Sequence, residues 1–251
     1  QLHNHGYFRG TVSYEEKPYS KHPKAKIVYH VDCGHLFTID TVTYSNFPLN
    51  ADSLIAASAD EAKIKSGSPF DVISLDAERN RLSNLFRNNG YYYYQPSYAS
   101  YRADTVNTLG KVKLDVELAD NLPEKALKKW YIGNISINLR RTFMEELKDS
   151  IHYYFFRAYF NGKKPPVRPR VIMSDMKLRH GQPYDYSKHT ESNNRIASKG
   201  MFSSVDFQFT PRDTTAACDT LDLLLNCVFD KPYDFYVETN YKGKTTGRMG
   251  P

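Results

Sequence analysis

Two copies of one short turn constrain this chain more than any other feature. Gly67–Asp71 reads GSPFD, and Gly181–Asp185 reads GQPYD. Each copy leads to a second glycine backed by aromatic or apolar residues, Gly90 in GYYYY and Gly200 in GMFSSV. Proline cannot continue a helix, and glycine accepts the left-handed conformation past a helix end, so each Gly-x-Pro closes one helix. The aspartate that follows suits an N-cap, because its carboxylate accepts backbone N–H groups that a first turn cannot bond internally. The turn therefore joins two helices, and the later glycine releases the chain from helix to strand. Asp71 and Asp185 are read as caps, not catalysts.

The flanking segments complete a unit. His35–Tyr44 (HLFTIDTVTY) has a strand-like composition, and Ala51–Lys65 reads as a first helix. After Asp71, Leu75, Leu82, Leu85 and Phe86 share one helical face while Glu78, Arg79 and Arg81 are expected to point into solvent. Glu78 with Arg79 is read as a solvated pair. Tyr91–Arg102 (YYYYQPSYASYR) reads as a strand, confined by Pro96 to a sheet edge or a bulge. Lys111–Leu118 (KVKLDVEL) alternates cleanly, with one face buried and one wet. The order is strand–helix–helix–strand–strand.

The same order returns from Trp130. WYIGNISINL is a strand, and an insertion at about 141–170 holds a short helix (FMEELKDS), an aromatic stretch (IHYYFFRAYF) and a proline-rich loop (KKPPVRPR). GQPYD, a helix over Ser187–Lys199, and strands at Val205–Thr210 and Thr220–Phe229 then complete the pattern. A first unit is present only as its tail, Leu2–Tyr14 and Ala25–Gly34, so Gly6, Gly90 and Gly200 fill one role in tandem copies. Since the chain opens within a unit, a segment upstream of Gln1 is expected.

Composition excludes several classes. No run of about 18 apolar residues forms a membrane helix, and mean hydropathy is −0.61. The net charge of +6 is scattered, which argues against a nucleic-acid partner. Cys218 and Cys227 lie on or beside one strand, beyond disulfide reach, and no CxxC occurs. The eight histidines form no HExxH, and neither G-x-S-x-G nor a Walker loop is present. We assign no catalytic, cofactor or metal site and expect no enzyme.

The stretches LDAERNRLSNLFRNNGYYYY and KVKLDVEL, with G-x-P-[FY]-D between helices, resemble the POTRA domains of BamA/TamA-type outer-membrane assembly proteins, nearest in flavour to the TamA-like (TamL) branch of Bacteroidetes. The resemblance implies an α+β fold of tandem POTRA domains, each a three-stranded mixed sheet covered by two antiparallel helices. It implies the C-terminal part of one domain at 1–34, a complete domain at 35–123, and a domain with the insertion at 124–232. At 233–251 it implies the start of a barrel strand, with Phe235, Val237, Thr239 and Tyr241 alternating.

By the same resemblance the chain is a periplasmic scaffold at the outer membrane that inserts or assembles outer-membrane proteins. Its implied partners are unfolded outer-membrane proteins, TamB-like proteins or assembly lipoproteins, and the membrane through a C-terminal barrel. The alternatives are a two-partner-secretion transporter or, in another class, a basic aromatic nucleic-acid-binding module. In the family's strand order the first hairpin strand is an edge, able to recruit an extended chain. The side chains expected to touch partners are Tyr92, Tyr94, Tyr98 and Tyr101, or Val205, Phe207 and Phe209. Tyr153, Tyr154, Phe155, Phe156, Tyr159 and Phe160 of the insertion are candidates for a contact with a barrel rim or a partner, with Lys163, Lys164, Arg168 and Arg170 near lipid headgroups.

Overall fold

The computed structural model describes residues 1–18, 25–105 and 110–230. The expected barrel strand at 233–251 lies outside the described residues. Three sheets follow one another along the chain. β1 (Thr11–Pro18) and β2 (Ala25–Asp32) pair antiparallel as a ribbon. The second sheet has the order β3 (Thr38–Ser45), β5 (Lys111–Leu118), β4 (Ala99–Asp104), with β3 parallel and β4 antiparallel to β5. The third contains β6 (Tyr131–Arg140), β7 (Asp149–Tyr153), β8 (Phe156–Phe160), β9 (Phe202–Pro211) and β10 (Thr220–Phe229), in the order β7-β8-β6-β10-β9. Helices α1 (Leu49–Ala57) and α2 (Val72–Asn88) serve the second sheet, and α3 (Pro169–Asp175) and α4 (Tyr186–Ala197) serve the third.

Both inter-helix turns form as the spacing requires. The Asp71 carboxylate accepts the Ile73 N–H at 3.1 Å, and Asp185 accepts the Lys188 N–H at 3.0 Å. From these caps α2 lays Leu75, Leu82 and Phe86 over Val112, Leu114 and Val116 of β5. Ile196 of α4 packs into the equivalent core with Ile132, Ile137, Leu223 and Leu225. Each such buried side chain contributes about 2 kcal/mol, which outweighs the weak intrinsic helicity of the polar α4.

Four local readings change. Glu78 does not face solvent: it is 0% exposed, and it pairs with Arg81 at 2.6 Å and not with Arg79, which bonds Asp76. Tyr44 Oη and the Lys63 N–H complete its shell at 2.7 and 2.8 Å. Burial alone would raise the carboxyl, but the bonds from Arg81, Lys63 and Tyr44 hold it below the usual carboxylate value. Next, the strand expected from Tyr91 begins only at Ala99. Tyr91 and Tyr94 turn inward onto Phe86, at 5.7 and 4.6 Å between centroids, and Pro96 opens a 3-10 turn.

The helix expected over Ala51–Lys65 stops at Ala57, where the Ser58 hydroxyl donates back to the Leu54 carbonyl at 3.0 Å. Finally, Phe143–Ser150 forms no helix. Asn161 donates to Glu145 and accepts the Lys148 N–H, which ties this segment into a loop leading to β7. The insertion is a β7–β8 hairpin that pairs in parallel with β6, so the third sheet has five strands instead of three.

Candidate interaction surface and the joints between units

The repeated turn also joins each unit to the one before it. In the first joint the Gly6 carbonyl accepts the Phe37 N–H at 3.0 Å, and the Phe37 carbonyl accepts the Phe70 N–H of GSPFD at 2.9 Å. In the second, the Gly90 carbonyl accepts the Trp130 N–H at 2.9 Å, and the Trp130 carbonyl accepts the Tyr184 N–H of GQPYD at 2.8 Å. Two residues beyond each exit glycine a ring crosses the joint. Phe8 meets Phe37 and Phe70 at 5.1 and 5.0 Å; Tyr92 meets Tyr184 at 4.8 Å. One motif thus ends a helix, caps the next and receives the preceding unit.

The second joint is reinforced. Arg87 of α2 stacks over Tyr186 at 3.9 Å, and Asn88 accepts the Ser187 N–H at 3.0 Å. Lys128 of the linker donates to the Ala216 and Cys218 carbonyls at 2.9 and 2.7 Å, and Tyr93 packs on Trp130 at 5.2 Å. Beneath β9, His189 bonds Tyr184 Oη at 3.1 Å, with Phe207 and Phe209 at 4.9 and 5.1 Å. Burial, then the nearby Arg87 charge, push this imidazole down to about 4, so it is neutral near pH 7.

No protein-family model and no curated protein matches the chain. Solved structures do. BamA from Haemophilus ducreyi lacking POTRA domains 1–3 matches with a TM-score of 0.52 at 10% identity, over 78% of this chain and 30% of that one. The chain adopts a tandem POTRA fold. POTRA3–5 of Haemophilus influenzae BamA gives a TM-score of 0.49 at 10% identity over 90% of this chain and 75% of that one. POTRA1–3 of Omp85 from Anabaena gives 0.35 at 14% identity over 88% and 76%. This chain spans less than a third of the Haemophilus ducreyi protein.

Within the POTRA frame the expected contact residues fall into distinct places. Tyr94 is buried in the second core, and Tyr98 packs on it at 5.7 Å. Tyr101, on edge strand β4, donates its hydroxyl to the Leu75 carbonyl at 2.7 Å and so faces α2. Tyr92 occupies the joint. Val205, Phe207 and Phe209 alternate along edge strand β9, half-buried against the third core. In the insertion, Phe160 is buried and Tyr153 stacks on Phe156 at 4.4 Å, while Tyr154 (91% exposed) and Phe155 (66%) form the bare hairpin tip.

A cleft of about 340 Å³ lies between this tip and the middle of β6, with His152, Arg157, Tyr159 and His180 on its walls. Arg170 sits 5.4 Å over the Tyr153 ring. Among the described residues no cluster of His, Cys, Asp and Glu is placed to hold a metal ion. The joint residues Phe8 and Phe37 escaped the sequence reading, although the aromatic two places after each glycine was a usable signal. Phe143 and Met144 escaped as well, since an expected helix gave no reason to leave them bare.

Proposed function

We propose that this chain is part of the periplasmic scaffold of an outer-membrane protein assembly or secretion factor, and that it holds unfolded clients as an added strand on β9. The observation that carries the reading is the free edge of β9. It runs for ten residues and, among the described residues, pairs only with β10, whereas the other hairpin edge, β4, is six residues long. Backbone groups on such an edge bind an extended chain with little sequence demand, which suits clients made of alternating strands. The alternating Val205, Phe207 and Phe209 would give a docked strand apolar contacts on its helix side.

In this reading the chain is not an enzyme. Units 1–34, 35–123 and 124–232 are successive POTRA domains, and a membrane barrel follows. Periplasmic accessory proteins, TamB-like or lipoproteins, are further partners. The likeness of LDAERNRLSNLFRNNGYYYY favours the TamA-like branch.

Proline at Asp206 and, separately, at Phe207 tests the edge. Neighbouring residues of a strand send their N–H groups to opposite sides, so one of the two variants removes an outward donor and spares the β10 ladder. Calorimetric titration with a strand peptide from an outer-membrane barrel should show at least tenfold weaker binding for that variant, with the second unit still folded by circular dichroism. Unchanged affinity in both variants rejects the reading.

A further inference from the structure

One end of the third sheet is built unlike the rest of its surface. β6 ends at Arg140 beside Val228 of β10, and Asn138 pairs with Tyr159 near the end of β8, so the loops that leave these strands gather together. A cavity of about 820 Å³ there has Arg141, Val167, Met201, Phe229 and Asp230 among its walls, which places the exit of the chain from β10 at this same end. Beyond the cavity, Phe143 is 71% exposed and Met144 89% exposed. Arg140 Nη1 donates to the Phe143 carbonyl at 3.3 Å, which ties the loop to the end of β6. The aromatic tip Tyr154–Phe155 sits beside the middle of β6, next to Ile135 and away from the Arg140 end.

The charge around the Phe143–Met144 loop is uneven. Arg141, Lys163 and Lys164 are exposed. Lys163 and Lys164 pair with no carboxylate among the described residues. Over 140–164 the cations Arg140, Arg141, Lys148, Arg157, Lys163 and Lys164 outnumber the acids Glu145, Glu146 and Asp149, of which Glu145 accepts from Asn161 and Asp149 accepts the Gly162 N–H. Glu146 remains exposed, and Asp230 lies at the cavity rim. Adjacent large apolar side chains flanked by lysine and arginine match the chemistry of a bilayer interface, where rings and thioethers enter the headgroup boundary and cations meet lipid phosphates.

We propose that the Phe143–Met144 loop, with Arg141, Lys163 and Lys164, is a membrane-docking wedge that seats the third unit on an anionic bilayer. The proposal rests on the reading of the chain as an outer-membrane scaffold and deepens it. The wedge lies where the chain leaves the described fold, so it would set how the last unit stands on the membrane. The sequence reading placed Lys163, Lys164, Arg168 and Arg170 near lipid headgroups and gave the insertion's aromatics a contact with a barrel rim or a partner; the Tyr154–Phe155 tip lies beside the middle of β6, away from its Arg140 end.

The test is flotation of the full 251-residue chain with excess vesicles of phosphatidylethanolamine and phosphatidylglycerol, or of phosphatidylcholine alone. We expect flotation with the anionic vesicles. It should fall at least tenfold in F143S/M144S and about tenfold in K163Q/K164Q, and weaken at high salt. Y154S/F155S should float as the parent does. All these side chains are exposed, so folding should persist, with circular dichroism as the check. No flotation of the parent, unchanged flotation of F143S/M144S, or loss in Y154S/F155S in its place would each overturn the proposal. The strand-peptide titration, run on F143S/M144S, should match the parent; the β9 proline variants should still float. Failure of the edge reading and failure of the wedge are thereby separate results.

Discussion

His189 is a side chain whose ionisation ties the fold to mildly acid pH. It lies under the β9 edge between Phe207 and Phe209, bonded to Tyr184 and within the field of Arg87. Its folded value of about 4 lies below the ordinary 6.5, so between these limits the unfolded chain binds the extra proton. Stability from this site is therefore complete above pH 6.5 and lost as pH falls toward 4. With its partial solvent access discounted, the loss is about 2 kcal/mol. Denaturant unfolding at pH 7.5 and pH 5 should show a little over half of that loss, about 1 kcal/mol, in the parent, and H189Q should flatten it. An H189Q variant with the parent's full pH slope would assign the effect elsewhere. Glu78 shows the limit of reading residues by periodicity. Its helical position marked it as solvent-facing, but the Lys63 N–H and Tyr44 arrive from other elements to satisfy it once buried. No spacing within α2 announces them.

At the scale of elements, the two joints use equivalent bonds with different tolerances. An added Cβ at Gly6, where φ is +81°, would lie 2.9 Å from the Phe70 carbonyl oxygen and 3.1 Å from that of Phe37. At Gly90, where φ is +100°, the nearest atoms are ordinary contacts at 3.5 Å. G90A should then carry only the backbone penalty, about 1 kcal/mol, while G6A must also push the relay apart. Hydrogen exchange should accelerate at the Phe37 and Phe70 amides in G6A more than at Trp130 and Tyr184 in G90A. Equal effects would mean that the close approach at Gly6 is not what holds the joint. Strand placement followed the sequence well where alternation was strict, as in β5. It failed at Tyr91–Tyr98, because four consecutive tyrosines have no alternation to read and packing on Phe86 decided their course.

Across the whole molecule, the second and third units meet through more than a linker. Tyr92 inserts against Tyr184 and Phe209, Arg87 covers Tyr186, and Lys128 ties the linker to the β9–β10 loop. Y92A should forfeit about 2 kcal/mol of joint energy and let the units swing. Spin labels at Ser53 and Ser203 in a C33S background should give a narrow distance distribution in the parent and a broad one in Y92A. If both are equally narrow, the backbone relay alone sets the angle. A stiff joint would keep β9 at a constant bearing relative to the upstream units, while the wedge at Phe143–Met144 lies at the opposite end of β6 from that joint.

Turn chemistry is local, so the sequence alone determined the helix-bend-helix plan: Gly-x-Pro-aromatic-Asp needs only its own residues to stop one helix and cap the next. Strict alternation likewise marked β5. The tertiary structure alone decided which aromatics face a core, a joint or solvent, that the insertion extends a sheet, and that Glu78 is buried. Those outcomes depend on atoms brought together from distant parts of the chain, and their energy comes from water excluded between them, which no stretch of sequence encodes by itself.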